Sequence, residues 1–144
     1  MTDINLFSYK PKSLFGYVGY SQSLQAIVIT FRGTVTSQLA NVVTDIKIYQ
    51  SNYPRCAKCK VHKGFNEGIS LLSSFFISAL KKVADAHPGA PIYVAGHSLG
   101  GALASLAAPI IKENFPKNKL LQVITGGKPR VGNKQFADWY NSNI

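Results

Sequence analysis

A glycine–serine turn near residue 98 constrains the fold of this chain more than any other feature. The stretch from Val94 to Gly101 contains the pattern G-x-S-x-G, with a glycine two residues before and two residues after the serine. Glycines at these positions allow a buried strand to turn sharply into a helix, because a Cβ there would collide with neighbouring backbone. We therefore predict a strand over 91–95, a turn at Ser98 and a helix over 101–108, which Pro109 ends or kinks.

Segments on both sides of this turn predict strands and helices in alternation. Two apolar runs, over 14–20 and 24–31, predict an antiparallel hairpin. Apolar residues at spacings of three and four predict a helix over 65–83. A strand is expected over 120–125 and the start of a further helix over 132–140. This order predicts an α/β fold, with a mainly parallel sheet and helices on both faces.

Length and charge restrict the possible partners. The 144 residues carry sixteen Lys and Arg against six Asp and Glu, for a formal net charge of +10. The cations are scattered, which fits a solvated surface, or attraction to an anionic lipid surface or an acidic substrate; nucleic-acid binding is the least favoured explanation. No apolar run approaches a membrane span, and the first residues lack the features of a signal peptide. We expect either a cytosolic protein or a chain that begins inside a longer precursor.

The two cysteines, Cys56 and Cys59, are separated by two residues. Together with His62 they still lack the fourth ligand of a zinc site. A thioredoxin-like pair would open a helix after a strand, and the flanking residues fit this poorly. We favour a local disulfide formed in an oxidising compartment, the alternative being that one cysteine pairs with a partner outside the chain.

A serine at the apex of such a turn needs a base to accept its proton and a third group to orient that base. All three histidines precede the serine. His97 adjoins it and is expected to point away from its oxygen, His87 lies at a predicted helix end, and His62 lies beside a predicted strand end. The acidic residues after the serine are Glu113 and Asp138. We expect a fragment whose continuation supplies Asp and His, or else a hydrolase relative that has lost its base.

The negative charge that develops on the carbonyl oxygen during ester hydrolysis also needs donors. The N–H of Leu99, directly after the serine, is the first candidate. Thr34 is the candidate for the second donor, because it follows the predicted strand over 24–31 and Gly33 allows a close approach. Taken alone, this segment is better explained as an ordinary turn at the end of a strand.

Four blocks of the sequence occur in this order: Ile27–Thr34, Val61–Phe65, Gly96–Ala104 and Pro129–Asn133. Together they resemble the fungal-type class 3 lipases. The C-x-x-C just before the second block is similar to secreted nematode members in particular. The resemblance extends over about residues 14–140, and it predicts a partial lipase-like domain over 14–144, with 1–13 as an extension or as part of the same domain.

This resemblance implies an α/β-hydrolase-type fold and hydrolysis of acylglycerols through an acyl-enzyme. It makes Ser98 the nucleophile, with the backbone N–H groups of Thr34 and Leu99 as the oxyanion hole. It implies a lid over 37–43, a lipid or ester substrate at a lipid–water interface, contact with a lipid surface, and no metal or organic cofactor. It also suggests an extracellular protein, in agreement with the paired cysteines.

Two departures from the family pattern qualify this interpretation. The family's Asp and His fall beyond the Pro129–Asn133 block, and Gly126 stands where the family usually has an aromatic residue. The alternative hypotheses are therefore a non-catalytic lipid-binding relative and a different acyl esterase, such as a phospholipase or a feruloyl-type esterase.

Overall fold

The computed structural model describes residues 1–33 and 49–144 of the chain. Within these ranges it contains seven β-strands, three α-helices and a short 3₁₀ helix over Lys10–Lys12. The strands are β1 (Thr2–Tyr9), β2 (Leu14–Ser21), β3 (Ala26–Phe31), β4 (Gln50–Asn52), β5 (Lys60–His62), β6 (Ile92–His97) and β7 (Leu120–Gly126). The α-helices are α1 (Lys63–Ala86), α2 (Leu99–Asn114) and α3 (Lys134–Asn143).

The central sheet has the strand order β1-β2-β3-β6-β7, and β4 pairs with β5 in a separate two-stranded sheet. β1, β2 and β3 are antiparallel to one another in turn, whereas β3, β6 and β7 are parallel. The predicted hairpin and the predicted strands over 91–95 and 120–125 are confirmed. Because β3, β6 and β7 run the same way, their carboxyl ends meet at one edge of the sheet, here called the carboxyl edge.

The edge strand β1 was not predicted from the sequence. It pairs with β2, and its one buried large side chain, Phe7, lies 5.3 Å from Phe31 and 6.2 Å from Phe76 between ring centroids. The adjacent Leu6 is 82% exposed. A single buried side chain does not produce the alternating pattern that predicts a strand. The strand β1 therefore forms because its backbone pairs with β2.

The predicted helix over 65–83 is confirmed as α1, and the helix after Ser98 is confirmed as α2. Both pack against one face of the sheet, where the rings of Phe31 and Phe76 lie 5.5 Å apart. Sequence analysis predicted helices on both faces, but in the described ranges Leu6 and Ile124 are exposed on the opposite face. Both crossovers step in the same direction across the sheet, and right-handed crossovers then place their helices on one side.

Sequence analysis predicted that Pro109 would end or kink this helix near Ala108, but α2 does not end there. The helix continues through it to Asn114. Leu106 and Ile111 on either side of the proline are almost wholly buried. Their packing outweighs the cost of a proline inside a helix, which is about 3 kcal/mol.

Hydrogen bonds join the β4–β5 hairpin to the segment that follows β7. The N–H of His62 donates to the Val131 carbonyl at 2.8 Å, and the N–H of Asn133 donates to the Lys60 carbonyl at 2.9 Å. Cys56 and Cys59 form a disulfide within this hairpin, as favoured from the sequence. These bonds fix the region from which α1 and α3 begin.

No helix in the described ranges is both long and apolar enough to cross a lipid bilayer.

Tyr140 on α3 makes the stability of the folded state depend on pH in the alkaline range. Burial raises the pKa of Tyr140 from 10.0 to about 12, an effect partly opposed by the Ser105 hydroxyl on α2. The folded state therefore holds this proton more tightly than the unfolded state. The resulting stabilisation is complete below pH 10 and is lost as the pH rises towards 12.

We therefore expect Tyr140→Phe to reduce the loss of stability between pH 10 and about 12. Urea unfolding of the variant and the parent across this range measures the effect, and phenolate absorbance reports the titration itself. Burial also raises the pKa of Tyr53, so a smaller alkaline loss will remain in the variant. An unchanged loss in the variant would contradict the assignment.

Candidate active site

Ser98 lies at the apex of the turn between β6 and α2, as the G-x-S-x-G pattern predicts. Its backbone has φ 54° and ψ −125°, which a residue with a side chain rarely adopts. Such a conformation costs about 1–3 kcal/mol and persists only where surrounding structure enforces it. Ser98 is 8% exposed, so most of its surface is buried.

Backbone hydrogen bonds on both sides of the turn enforce this conformation. The N–H of Ser98 donates to the Gly126 carbonyl at the end of β7 at 2.9 Å. Its carbonyl accepts from Gly101 at 2.9 Å and from Ala102 at 3.2 Å. The hydroxyl makes no capping hydrogen bond to α2. The backbone of Ser98 is therefore fixed, and within residues 1–33 and 49–144 no hydrogen bond is found for its hydroxyl.

The two motif glycines are required by space rather than by their backbone angles. A Cβ on Gly96 would overlap the carbonyl of Gly100, and a Cβ on Gly100 would overlap the carbonyl of Phe31. The short distances show that β6, α2 and β3 approach one another closely at this turn. Glycine at both positions therefore allows the first turn of α2 to press against the carboxyl ends of two strands.

Leu99 is the first residue of α2, so its N–H has no carbonyl partner within the helix. The positive end of the helix dipole lies at the same place. An N–H donor therefore follows the serine directly in the chain, as required of one half of an oxyanion hole.

The end of β3 approaches the turn closely. A Cβ on Gly33 would lie 2.7 Å from the carbonyl oxygen of His97. Gly33 is the last described residue before the gap. Thr34, the predicted second donor, and the predicted lid over 37–43 lie outside the described residues.

Two of the three histidines face away from the serine. The ring of His97 lies over the turn after β7, where a Cβ on Gly127 would be 3.0 Å from its Nε2 and one on Gly126 would be 3.3 Å from its Cδ2. His87 lies beyond the far end of α1, where its Nε2 is 2.8 Å from Asp3 and its ring stacks on Tyr20.

His62 lies closer to the turn but serves as the N-cap of α1. Its Nδ1 accepts from the N–H of Phe65 at 3.4 Å, and its ring contacts the Phe65 ring at 4.2 Å between centroids. The same ring lines a cavity that also contacts Leu99. The structure therefore assigns His62 a capping contact and a place in a cavity wall.

The two acidic residues after the serine form ion pairs elsewhere. Glu113, in the last turn of α2, accepts two hydrogen bonds from Arg55 at 2.7 and 2.8 Å, and this guanidinium lowers the pKa of Glu113. Asp138 accepts from Lys134 at 2.6 Å. Neither carboxylate has a histidine among these partners, so neither orients a base for the serine.

An apolar cavity beside Leu99 was not predicted from the sequence. Its volume is about 210 Å³, and it is formed where α1, α2 and the start of β2 meet. Gly68 contributes to this space, since a Cβ there would contact Leu103 at 3.4 Å and Leu14 at 3.6 Å. The only sequence signal was a glycine on the buried face of α1. The lining residues are Lys12, Leu14, His62, Gly64, Phe65, Gly68, Leu99 and Leu103.

The chain is similar to lipases in both sequence and structure. It is 36% identical over 141 residues to a lipase from Caenorhabditis elegans, covering 90% of this chain and 36% of that protein. It is 34% identical over 124 residues to secreted mono- and diacylglycerol lipase 1 from Fusarium solani, covering 85% of this chain and 35% of that protein. Lipase II from Rhizopus niveus superposes with a TM-score of 0.86 at 33% identity, covering 97% of this chain and 54% of that structure.

These comparisons agree with the α/β-hydrolase-type fold predicted from the sequence. The chain spans about a third of the length of these two relatives and about half of the solved lipase structure. The family described as Lipase (class 3) matches residues 28–144, which is most of the chain. The chain therefore belongs to the class 3 lipase family.

Proposed function

We propose that Ser98 is the nucleophile of a serine hydrolase that cleaves acylglycerol esters. The observation that carries this proposal is the constrained backbone of Ser98 at the start of α2, with no hydrogen bond found for its hydroxyl among the described residues. The serine oxygen attacks the ester carbonyl carbon, the alcohol departs, and an acyl-enzyme remains. Water then attacks the acyl carbon and releases the fatty acid and the serine. The relative from Fusarium solani, named a mono- and diacylglycerol lipase, supports this substrate class.

The N–H groups of Leu99 and Thr34 are proposed as the oxyanion hole. Support for Leu99 comes from its position as the first residue of α2. Support for Thr34 comes from its neighbour Gly33, whose close approach to the His97 carbonyl brings β3 against the turn. Loss of one such donor typically lowers kcat by about 10²–10³-fold.

We propose that none of the three histidines in these 144 residues is the base that accepts the Ser98 proton. His87 pairs with Asp3, His97 lies over the glycines after β7, and His62 caps α1. Activity therefore requires a His and an Asp that come from chain beyond the Pro129–Asn133 block, which is where the family resemblance locates them.

The apolar cavity beside Leu99 is proposed to receive part of an acyl chain. Its walls include Leu14, Phe65 and Leu103, and it adjoins the residue that would hold the carbonyl oxygen. Apolar walls next to the reacting carbon favour a hydrocarbon chain over a polar substituent. The lid proposed over 37–43 would cover such a surface in water and open at a lipid interface.

We also propose an extracellular location and a single partial domain over 14–144. The disulfide between Cys56 and Cys59 is typical of an oxidising compartment, and the Fusarium solani relative is described as secreted. Residues 1–13 are assigned to the same domain, because β1 pairs with β2 along the central sheet.

Hydrolysis of emulsified triacylglycerol, compared with that of a short soluble ester, tests the substrate class. The assay uses residues 1–144 fused to the part of the Rhizopus niveus lipase that the chain does not cover. We expect hydrolysis of both substrates, with a steep rise in rate where the triacylglycerol forms an interface. Turnover of the soluble ester without any such rise would identify a different acyl esterase.

A further inference from the structure

The positive charge of this chain is concentrated around the proposed catalytic turn. Nine of the fifteen Lys and Arg residues in the described ranges lie at the carboxyl edge, within residues 10–12, 32, 58–63 and 128–134. They are accompanied there by two carboxylates, Glu67 and Asp138. The rest of the described molecule carries the other six cations and three carboxylates. The excess of positive charge is therefore more than twice as large at the carboxyl edge as in the rest of the described residues.

Contacts between distant segments create this concentration, which the linear sequence does not show. Arg32 directly follows β3, and Lys12 lines the same cavity as Leu99. The carbonyls of Lys58 and Lys60 accept hydrogen bonds from Asn133, at 2.9 Å each. This pairing places the cations of the β4–β5 hairpin beside those of the segment after β7. The cations within residues 10–12, 32, 58–63 and 128–134 thus lie at the same edge of the sheet, and they are here called the cationic rim.

Three cations of the rim are free to act on a partner. Lys58, Lys60 and Lys128 are exposed, and no ion pair to a carboxylate is found for them among the described residues. By contrast, Lys12 and Lys63 share Glu67, and Lys134 pairs with Asp138. A cavity of about 320 Å³ lies beside Lys128 and is also lined by Arg130 and Lys134. Such a surface attracts anions and offers recesses that a headgroup can enter.

We propose that the cationic rim docks the protein on anionic phospholipid surfaces, with the Ser98 end of the molecule facing the lipid. This rests on the proposed function, since a lipase must bring its nucleophile to an interface. An exposed cation near an anionic bilayer contributes about fivefold to binding, and the effect fades beyond a Debye length of about 8 Å at physiological salt. Cations at the opposite end of a docked molecule therefore contribute little to its affinity for the bilayer.

The test is binding of the 144-residue chain to phosphatidylcholine vesicles with and without phosphatidylglycerol, measured by cosedimentation at low and physiological salt. One variant carries Lys58→Gln, Lys60→Gln and Lys128→Gln. The matched control carries Lys82→Gln, Lys117→Gln and Lys119→Gln, which are exposed. Lys82 lies in the C-terminal part of α1, and Lys117 and Lys119 directly precede β7, at the end opposite to its carboxyl end. Both variants remove three charges from the formal +10. Circular dichroism and the unfolding midpoint verify that each variant folds.

We expect the rim variant to lose on the order of 100-fold in partitioning onto anionic vesicles, and the control no more than about threefold. Ser98→Ala is expected to bind like the parent chain, so the result is independent of whether Ser98 is the nucleophile. Equal losses in the two triple variants would show attraction by net charge alone and overturn the proposal. Binding to neutral vesicles that equals binding to anionic ones would also overturn it.

Discussion

Ser98→Ala is expected to abolish ester hydrolysis, lowering kcat by on the order of a million-fold, the scale known for removal of a serine nucleophile. The hydroxyl forms the covalent bond to the acyl group, and no neighbouring group in the described residues can replace it. Measurement requires a chain that also holds the missing His and Asp, such as the fusion to the Rhizopus niveus lipase segment. Initial rates on a short soluble ester give the comparison free of interfacial effects.

Ser105→Ala is the matched control for this experiment. Ser105 lies on the same helix, is 2% exposed, and donates its hydroxyl to the Gly101 carbonyl at 2.9 Å. Its loss should cost about 1 kcal/mol of stability and leave turnover within a few-fold of the parent. Full turnover by Ser98→Ala, or equal loss in both variants, would contradict the role of Ser98.

The 144-residue chain by itself is expected to show no more turnover than its own Ser98→Ala variant. The described contacts of its three histidines lie elsewhere, so we expect none of them to accept the serine proton. This comparison separates the two halves of the proposal, because the fusion tests the nucleophile and the isolated chain tests the absence of a base. Ser98-dependent turnover by the isolated chain would identify one of its histidines as a functional base.

The parts predicted correctly from the sequence depend on local information. The turn at Ser98 follows from two glycines at fixed spacing, and α1 follows from apolar spacing along one helical face. The parts that were missed depend on contacts between distant residues. β1 is defined by pairing with β2, and α2 passes through Pro109 because its neighbours are buried in the core.

The same distinction applies to the candidate site. The turn at Ser98 and the helix that begins at Leu99 could be predicted from the sequence because these residues are adjacent in the chain, whereas their catalytic roles stay predictions. The apolar cavity was not found, because its walls come from three separate elements. The cationic rim was not found either, since it forms only where Asn133 joins the hairpin to the segment after β7. The sequence shows the cations and Gly68, but it does not show which distant residues lie beside them in the fold.

Gly100→Ala is expected to cost a large part of the stability of this chain, at least about 4 kcal/mol. Its backbone angles would tolerate alanine, so the cost comes from the overlap of the new Cβ with the Phe31 carbonyl. Relief requires α2 to move away from β3, which would disturb the hydrogen bonds that hold Ser98. Loss of the conformation of Ser98 should therefore accompany the loss of stability.

Gly68→Ala, a second helical glycine, provides the control. Its Cβ would make ordinary contacts with Leu103 at 3.4 Å and Leu14 at 3.6 Å. Replacing glycine by alanine within a helix normally stabilises it by up to about 1 kcal/mol. We therefore expect opposite signs for the two variants in urea unfolding. If Gly100→Ala were as stable as Gly68→Ala, the close contact between α2 and β3 could not be what positions the serine, and the constrained geometry of Ser98 would need another cause.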